Sequence, residues 1–304
     1  MKKYAFIINP TAGKVKKLNT SNLILTESKK HNIPVELFYT EYRGHAIKIA
    51  EDLSTKDEFD FIISVGGDGT ANEIVNGLNL NSNKILGVLP FGSGNDVCRY
   101  LYKTKNYFET LFNPQNHNII DFDIGICNII NGNETKIHRR FINALGVGFD
   151  AHVAYLNQSR KKLTGALSYI VSVFKALRSL TPLNVKFRYG KEEKHGKYLL
   201  MTIGNGKTSG GGFFLNPDAE PDDRILNLTT VDFTTRLEIV KKLPLALVNK
   251  LKRVDKAKFY ASDTFNIELD APYFVHLDGE IISKNAKDLS INLEENKLRM
   301  IAEN

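Results

Sequence analysis

The chain has 304 residues, 42% hydrophobic and 25% charged, a balance that fits a globular protein and excludes a disordered or membrane-embedded one. Its length exceeds the usual single-domain size, so two domains with separate cores are expected. The net charge of +7 suits an anionic partner, but no nucleic-acid-binding module accompanies it, so no nucleic-acid partner is expected. Cys98 and Cys127 stand far apart, outside any Cys-x-x-Cys or His-pair spacing, and read as buried thiols rather than zinc ligands. The apolar run Tyr4 to Ile8 is too short for a signal-peptide core. No later stretch nears the roughly 18 apolar residues of a spanning helix, which points to the cytoplasm.

From the N-terminus, apolar runs at Tyr4 to Ile8, Pro34 to Tyr39, Phe61 to Val65 and Ile85 to Leu89 alternate with helical patterns beginning near Thr20, Gly44 and Ala71. The alternation predicts a doubly wound, mostly parallel sheet over residues 1–120. Three of these strands end in small-residue turns: Asn9-Pro10-Thr11-Ala12-Gly13-Lys14, Gly66-Gly67-Asp68-Gly69-Thr70-Ala71-Asn72-Glu73, and Pro90-Phe91-Gly92-Ser93-Gly94-Asn95-Asp96. Glycine admits positive φ and lets several N–H groups approach an anion, and the start of the next helix adds its positive end. Asp68 would repel phosphate unless Mg²⁺ bridges the two. An ordinary strand-to-helix turn closed by an Asx hydrogen bond is the alternative reading. Ligands of open α/β sheets bind beyond the carboxyl ends of the strands, so the three turns can serve one crevice.

After Ile119 the texture changes. Runs at Lys197 to Ile203, Ile225 to Val231, Thr264 to Leu269 and Tyr273 to Leu277 predict an antiparallel β domain over 121–287, interrupted by a helical insertion at Asn157 to Leu180. Basic and apolar residues mix at Arg160-Lys161-Lys162, which leads into Leu163, Leu167, Ile170, Val171, Phe174 and Leu177, and again from Arg236 to Arg253. Amphipathic helices of this kind pack on a core or lie on a membrane. Asp278-Gly279-Glu280 follows the last of these strands, and its glycine allows a sharp turn with both acids exposed. That suits a base taking the proton of an acceptor hydroxyl, and it equally suits a plain hairpin turn.

The three turns, with Phe141-Ile142-Asn143, Gly146-Val147-Gly148-Phe149-Asp150-Ala151, Gly204-Asn205-Gly206, Gly210-Gly211-Gly212-Phe213 and Leu277-Asp278-Gly279-Glu280, resemble in order and spacing the diacylglycerol kinase, sphingosine kinase and ceramide kinase catalytic-domain family. The likeness is strongest to the soluble bacterial lipid kinases and covers nearly the whole chain. It implies an NAD-kinase/phosphofructokinase-like α/β domain, a C-terminal antiparallel β-sandwich, a site in the cleft, and a return of residues 288–304 to the first domain. It implies ATP binding by Asn9, Pro10, Thr11, Ala12, Gly13, Lys14, Thr40, Gly66, Gly67, Asp68, Gly69, Thr70, Ala71, Asn72 and Ser93, the last a hydroxyl where the family more often has threonine. Asp68 would meet Mg²⁺, and Glu280 would accept the proton, with Asp278 and Asp123 in its carboxylate network.

The resemblance also implies a structural Mg²⁺ on the Asp223 side chain and the carbonyls of Glu220 and Ile225. Arg224 stands where glycine is common, so a positive φ there would weaken that site. The implied activity is ATP-dependent phosphorylation of a lipid hydroxyl, foremost diacylglycerol to phosphatidic acid. A sphingoid-base or other glycerolipid kinase, an NAD kinase, and a catalytically silent nucleotide- and membrane-binding module are the alternatives. A lipid substrate implies peripheral contact with the inner face of the membrane, and homodimers occur in the resembling family.

Overall fold

A computed structural model describes residues 3–13, 15, 19–158 and 165–304. It divides into two compact units, Met1–Phe122 with Glu295–Asn304, and Asp123–Glu294. The first contains β1 (Lys3–Ile8), α1 (Thr20–His31), β2 (Val35–Tyr39), α2 (His45–Ser54), β3 (Phe59–Gly66), α3 (Asp68–Gly77), β4 (Ile85–Pro90), α4 (Cys98–Leu101), α5 (Tyr107–Phe112) and β5 (His117–Phe122). The second contains β6 (Gly125–Asn131), β7 (Lys136–Phe141), β8 (Ala144–Gly148), α6 (Phe149–Gln158), α7 (Gly165–Ala176), β9 (Leu183–Tyr189), β10 (Glu192–Gly204), β11 (Thr208–Ser209), β12 (Phe213–Phe214), β13 (Leu226–Asp232), α8 (Arg236–Leu247), β14 (Ala257–Ser262), β15 (Thr264–Leu277) and β16 (Glu280–Leu293). The chain then returns as β17 (Leu298–Glu303) to the first unit.

The first sheet runs in the order β2-β1-β3-β4-β17-β5. Its pairs are parallel except that between β17 and β5. β4 is buried at every position, which is why it reads as an unbroken apolar run rather than an alternating one. Phe6, Ile8, Ile63, Leu89 and Phe112 are fully buried in its core, each contributing roughly 1.5–3 kcal/mol of burial. Adjacent parallel strands β1, β3 and β4 all end on the same edge of this sheet. The three glycine-bearing turns therefore issue side by side, and the order of the strands alone places them there.

The second unit is antiparallel, in the order β14-β13-β10-β8-β15-β16-β6-β7, with β9 bridging β10 and β15. The first half of β15 alternates cleanly, Phe265, Ile267 and Leu269 inward against Asn266, Glu268 and Asp270 outward, the period-two pattern of a sheet with one covered face. The strands predicted at 264–269 and 273–277 are one strand whose register shifts between Glu268 and Tyr273. The predicted helical insertion is two helices, α6 and α7, with α6 starting at Phe149 rather than Asn157. Residues 288–294, expected within the C-terminal return, are needed to complete β16, where Asp288–Leu293 pair with β6.

Candidate active site

In the first unit Gly66 and Gly67 of the second turn and Gly92 of the third are required by crowding. Gly67 is extended (φ −111°), and none of Gly13, Gly66, Gly67, Gly69 and Gly92 has a positive φ, contrary to the sequence reading. A Cβ on Gly67 would stand 2.9 Å from the Gly92 Cα, and one on Gly92 would overlap the Gly67 Cα. Two strand ends are thus pressed backbone to backbone. The Phe91 N–H donates to the Gly66 carbonyl at 2.8 Å, and Asn95, itself at φ +53°, closes the third turn by accepting the Gly92 N–H at 3.0 Å.

Asn9 ties in the first turn, since its amide donates to the Thr70 hydroxyl at 3.2 Å while its oxygen accepts from the Thr11 N–H and hydroxyl at 3.0 and 2.8 Å. Gly13 lies against Ser93, a Cβ there coming 3.8 Å from the Ser93 hydroxyl. Pro10, Thr11, Gly13 and Ser93 are exposed on this edge, with Ala12 half-buried. Thr40 follows β2 and bonds the Ile8 carbonyl at 2.9 Å. Lys14 lies outside the described residues.

Asp68 is the first residue of α3, where a carboxylate is favoured by the helix dipole, and it accepts the Val97 N–H at 3.4 Å. Thr70, Ala71 and Asn72 are buried and shape the turn from inside. Glu73 has a scaffold role that no local signal reveals. It caps α2 from α3, accepting the Gly44 N–H at 2.9 Å and the Ala46 N–H at 3.3 Å.

In the second unit Asp278-Gly279 is a two-residue hairpin loop with φ of +49° and +82°, a pair of positive values that fits a type I′ turn. The expectation that both acids of this turn are exposed is overturned for Asp278. Its buried carboxylate accepts the N–H groups of Ile142, Asn143 and Ala144 at 3.0, 2.9 and 2.9 Å. Three donors commit its oxygens to holding backbone, so it acts as a clamp on the β7–β8 link. Asn205 completes that scaffold by donating to the carbonyls of Asp123 and Ile142 at 2.8 and 2.9 Å. Asp123 is also fully buried, and its carboxylate takes the Arg224 N–H at 2.6 Å and an Arg224 guanidinium nitrogen at 3.4 Å. Of the three expected catalytic acids, Glu280 alone is half-exposed.

A model of the diacylglycerol kinase catalytic domain matches residues 3–127, and one of the YegS C-terminal NAD kinase beta sandwich-like domain matches residues 143–301. A diacylglycerol kinase of Staphylococcus epidermidis is 30% identical over 306 residues, covering 97% of this chain and 91% of that protein. The chain belongs to the diacylglycerol kinase family. It is a lipid kinase by that membership, and a diacylglycerol kinase of Staphylococcus haemolyticus is also similar, at 29% over 283 residues and 92% and 83% coverage. The fold is shared with the crystal structure of a diacylglycerol kinase from Bacillus anthracis (TM-score 0.69, 20% identity, 99% and 97% of the two chains covered). Yeast NADH kinase is more distant (TM-score 0.53, 10% identity, 100% and 84% covered).

At the turn where the resemblance implies a structural metal, Arg224 keeps a positive φ of +63°, the conformation glycine favours, at a cost of about 1–2 kcal/mol. Its N–H on Asp123 and its guanidinium on the Glu294 carbonyl at 2.8 Å offset that cost. Asp223 accepts the Ile225 N–H at 2.9 Å, while the Glu220 carboxylate pairs with Lys207. Burial pushes the Asp223 carboxyl above its ordinary value against the opposing hydrogen bond from the Ile225 N–H, and the negative charges of Asp123, Asp222 and Glu220 add to the rise. Among the described residues no group of three His, Cys, Asp or Glu side chains is set to hold a metal, so any ion would need backbone carbonyls.

Also in the second unit, an apolar cavity opens between the inner faces of α7 and α8, lined by Phe149, Val153, Tyr169, Val173, Phe213 and Ile239 among others. Among the described residues no helix is long and apolar enough to cross a membrane.

Proposed function

We propose that the protein transfers the γ-phosphoryl group of ATP to the free hydroxyl of diacylglycerol. The reading is carried by one observation, the backbone-to-backbone contact of Gly67 and Gly92, which makes the ends of β3 and β4 into a cradle from which the α3 N-terminus starts. The turns ending β1, β3 and β4 hold phosphates through backbone N–H groups and the hydroxyls of Thr11 and Ser93. Asp68 would hold Mg²⁺, and the Asp223 carboxylate with the Glu220 and Ile225 carbonyls would hold a second, structural ion. Bound Mg²⁺ neutralises charge on the transferring phosphoryl group. Glu280 takes the proton of the acceptor hydroxyl as its oxygen attacks phosphorus, and Asp278 holds the backbone that presents Glu280.

The apolar cavity takes an acyl chain, which favours a lipid acceptor over a dinucleotide. The same two helices support a peripheral membrane footing. Leu167 and Phe174 on α7 are 59% and 49% exposed, and Leu237 on α8 and Val248 just after it are 63% and 57% exposed. Lys175, Arg178, Arg236, Lys241 and Lys250 lie exposed among them and suit an anionic leaflet. Arg236 donates to the Arg178 carbonyl at 3.2 Å, which joins the turn after α7 to the start of α8.

The test is incubation with radiolabelled ATP, Mg²⁺ and mixed micelles of diacylglycerol, sphingosine, ceramide or monoacylglycerol, with NAD⁺ in a parallel tube. Label in phosphatidic acid is the expected result. Label in another lipid would reassign the acceptor, and label in NADP⁺ or in nothing would end the reading.

A further inference from the structure

Buried among the walls of the second unit is a polar chain that the phosphoryl-transfer chemistry has not used. His276 and Asp150 are 1% and 2% exposed, and the His276 Nε2 to Asp150 Oδ2 distance is 2.8 Å. The other Asp150 oxygen accepts the Tyr169 hydroxyl. On its far side the His276 Nδ1 accepts the Gly279 N–H at 3.3 Å. A backbone N–H can only donate, so Nδ1 is unprotonated and the imidazole proton is on Nε2, given to Asp150.

Several sequence features make room for this chain and fix it. Gly146 lies opposite His276 in the β8–β15 pairing, and a Cβ there would overlap both the imidazole and the Asp150 carboxylate. Asp150 lies in the first turn of α6, where the helix dipole favours its anion. The Tyr169 ring packs on Phe213 with centroids 4.9 Å apart and on Gly210, whose added Cβ would reach it at 2.6 Å. Asp150 and Tyr169 both line the apolar cavity, and Gly279 is the centre of the turn that presents Glu280.

We infer that His276 is a positioning residue for the Asp278-Gly279-Glu280 turn, acting through the bond its Nδ1 accepts from the Gly279 N–H, with the Asp150 bond fixing the tautomer that leaves Nδ1 open to accept. The role in turnover rests on the kinase reading above, whereas the role in holding the turn does not. Two substitutions separate the two bonds of the imidazole. In His276→Asn the side-chain oxygen reaches the place of Nδ1 and keeps an acceptor for Gly279. In His276→Gln the amide reaches the place of Nε2 and keeps a donor for Asp150 while giving up Gly279.

Amide hydrogen exchange over residues 277–282 is measured for the intact protein and both variants, with kcat and KM for ATP on diacylglycerol micelles. His276→Gln should speed exchange at the turn and lower kcat roughly 10- to 100-fold, the cost of a misplaced catalytic group, with KM for ATP unchanged. His276→Asn should keep native protection at the turn and most of the turnover. Unchanged exchange and kcat in His276→Gln would overturn the inference, and so would equal losses in both variants, which would mark a merely structural histidine. If the native protein phosphorylates no lipid, the kinase reading falls while the exchange measurement still decides whether His276 holds the turn.

Discussion

Replacing Gly67 by alanine isolates the contact on which the proposed phosphate cradle depends. The native backbone there (φ −111°, ψ −171°) is open to any residue, so alanine brings no conformational strain. On chain entropy alone Gly→Ala would stabilise by about 0.4–1 kcal/mol. Against that, glycine outranks alanine at a helix N-cap. The new Cβ would also lie 2.9 Å from the Gly92 Cα, where ordinary carbon contacts are about 3.5–4.0 Å. The obstructing atom is backbone on a turn closed by Asn95, so relief requires the two strand ends to part by about 0.6–1.1 Å.

Overpacking of this kind costs about 1–3 kcal/mol, each kcal/mol lowering Tm by about 2–4 °C in proteins of 150–250 residues. The same displacement should weaken a non-hydrolysable ATP analogue at least about tenfold, or 1.4 kcal/mol. Differential scanning fluorimetry and titration calorimetry with Mg²⁺ read the two effects. Gly92→Ala should be worse, because its Cβ would overlap the Gly67 Cα outright. Gly44→Ala is the control, with a positive φ of +85° and open space around it, and should lower Tm without touching nucleotide affinity. Native affinity in Gly67→Ala and Gly92→Ala would refute the cradle.

Glu280→Gln should lower kcat by about 10²–10⁴ while leaving ATP-analogue affinity unchanged, and retained turnover would remove Glu280 as base. Asp278→Ala should cost at least about 3 kcal/mol in urea unfolding, because three buried N–H groups lose their acceptor; a loss below about 1 kcal/mol would contradict the clamp. For Asp150, burial pushes the carboxyl up, but its pairing with His276 and the hydrogen bond from Tyr169 outweigh it and hold the group below its ordinary value of 3.8. A depressed folded-state value gives stability that is present above the ordinary carboxylate range and lost as pH falls through the depressed one. The stability gap between native protein and Asp150→Asn should therefore be full at pH 7 and close in strong acid, and a gap that does not vary with pH would count against the pairing. Burial pushes both the Cys98 and Cys127 thiols up, so neither should react with a disulfide reagent until the protein unfolds, and rapid native labelling would contradict their placement.

What was legible in the sequence is what neighbouring residues decide. Buried parallel strands announce themselves as apolar runs, and turns as glycine clusters, so the alternating first domain and its three turns could be read directly. The reason for the glycines could not, because Gly67 is constrained by Gly92, a residue of another strand end, rather than by its own φ. Asp278 was misread for the same cause. Its partners Ile142, Asn143 and Ala144 are backbone groups more than 130 positions earlier, and Asp-Gly looks identical whether its carboxylate faces water or three N–H donors. His276 and Asp150, 126 positions apart, carried no shared motif. Arg224 was the converse case, because departure from a glycine was visible in the sequence and its positive φ was the conformation in question.

The place of β17 bears on how the protein is made. Among the described residues β5 pairs within its sheet with β17 alone, and β17 is inserted between β4 and β5. A ribosome delivers β1 to β5 first and must then extrude the entire second unit before the strand that joins β5 to the rest exists. Until that moment β4 offers an open flank to any passing strand, and β5 has nothing to add itself to. The first unit thus begins folding first and finishes last, so a chain stalled or clipped short of Leu298 would leave behind an adhesive half-sheet rather than a working kinase domain.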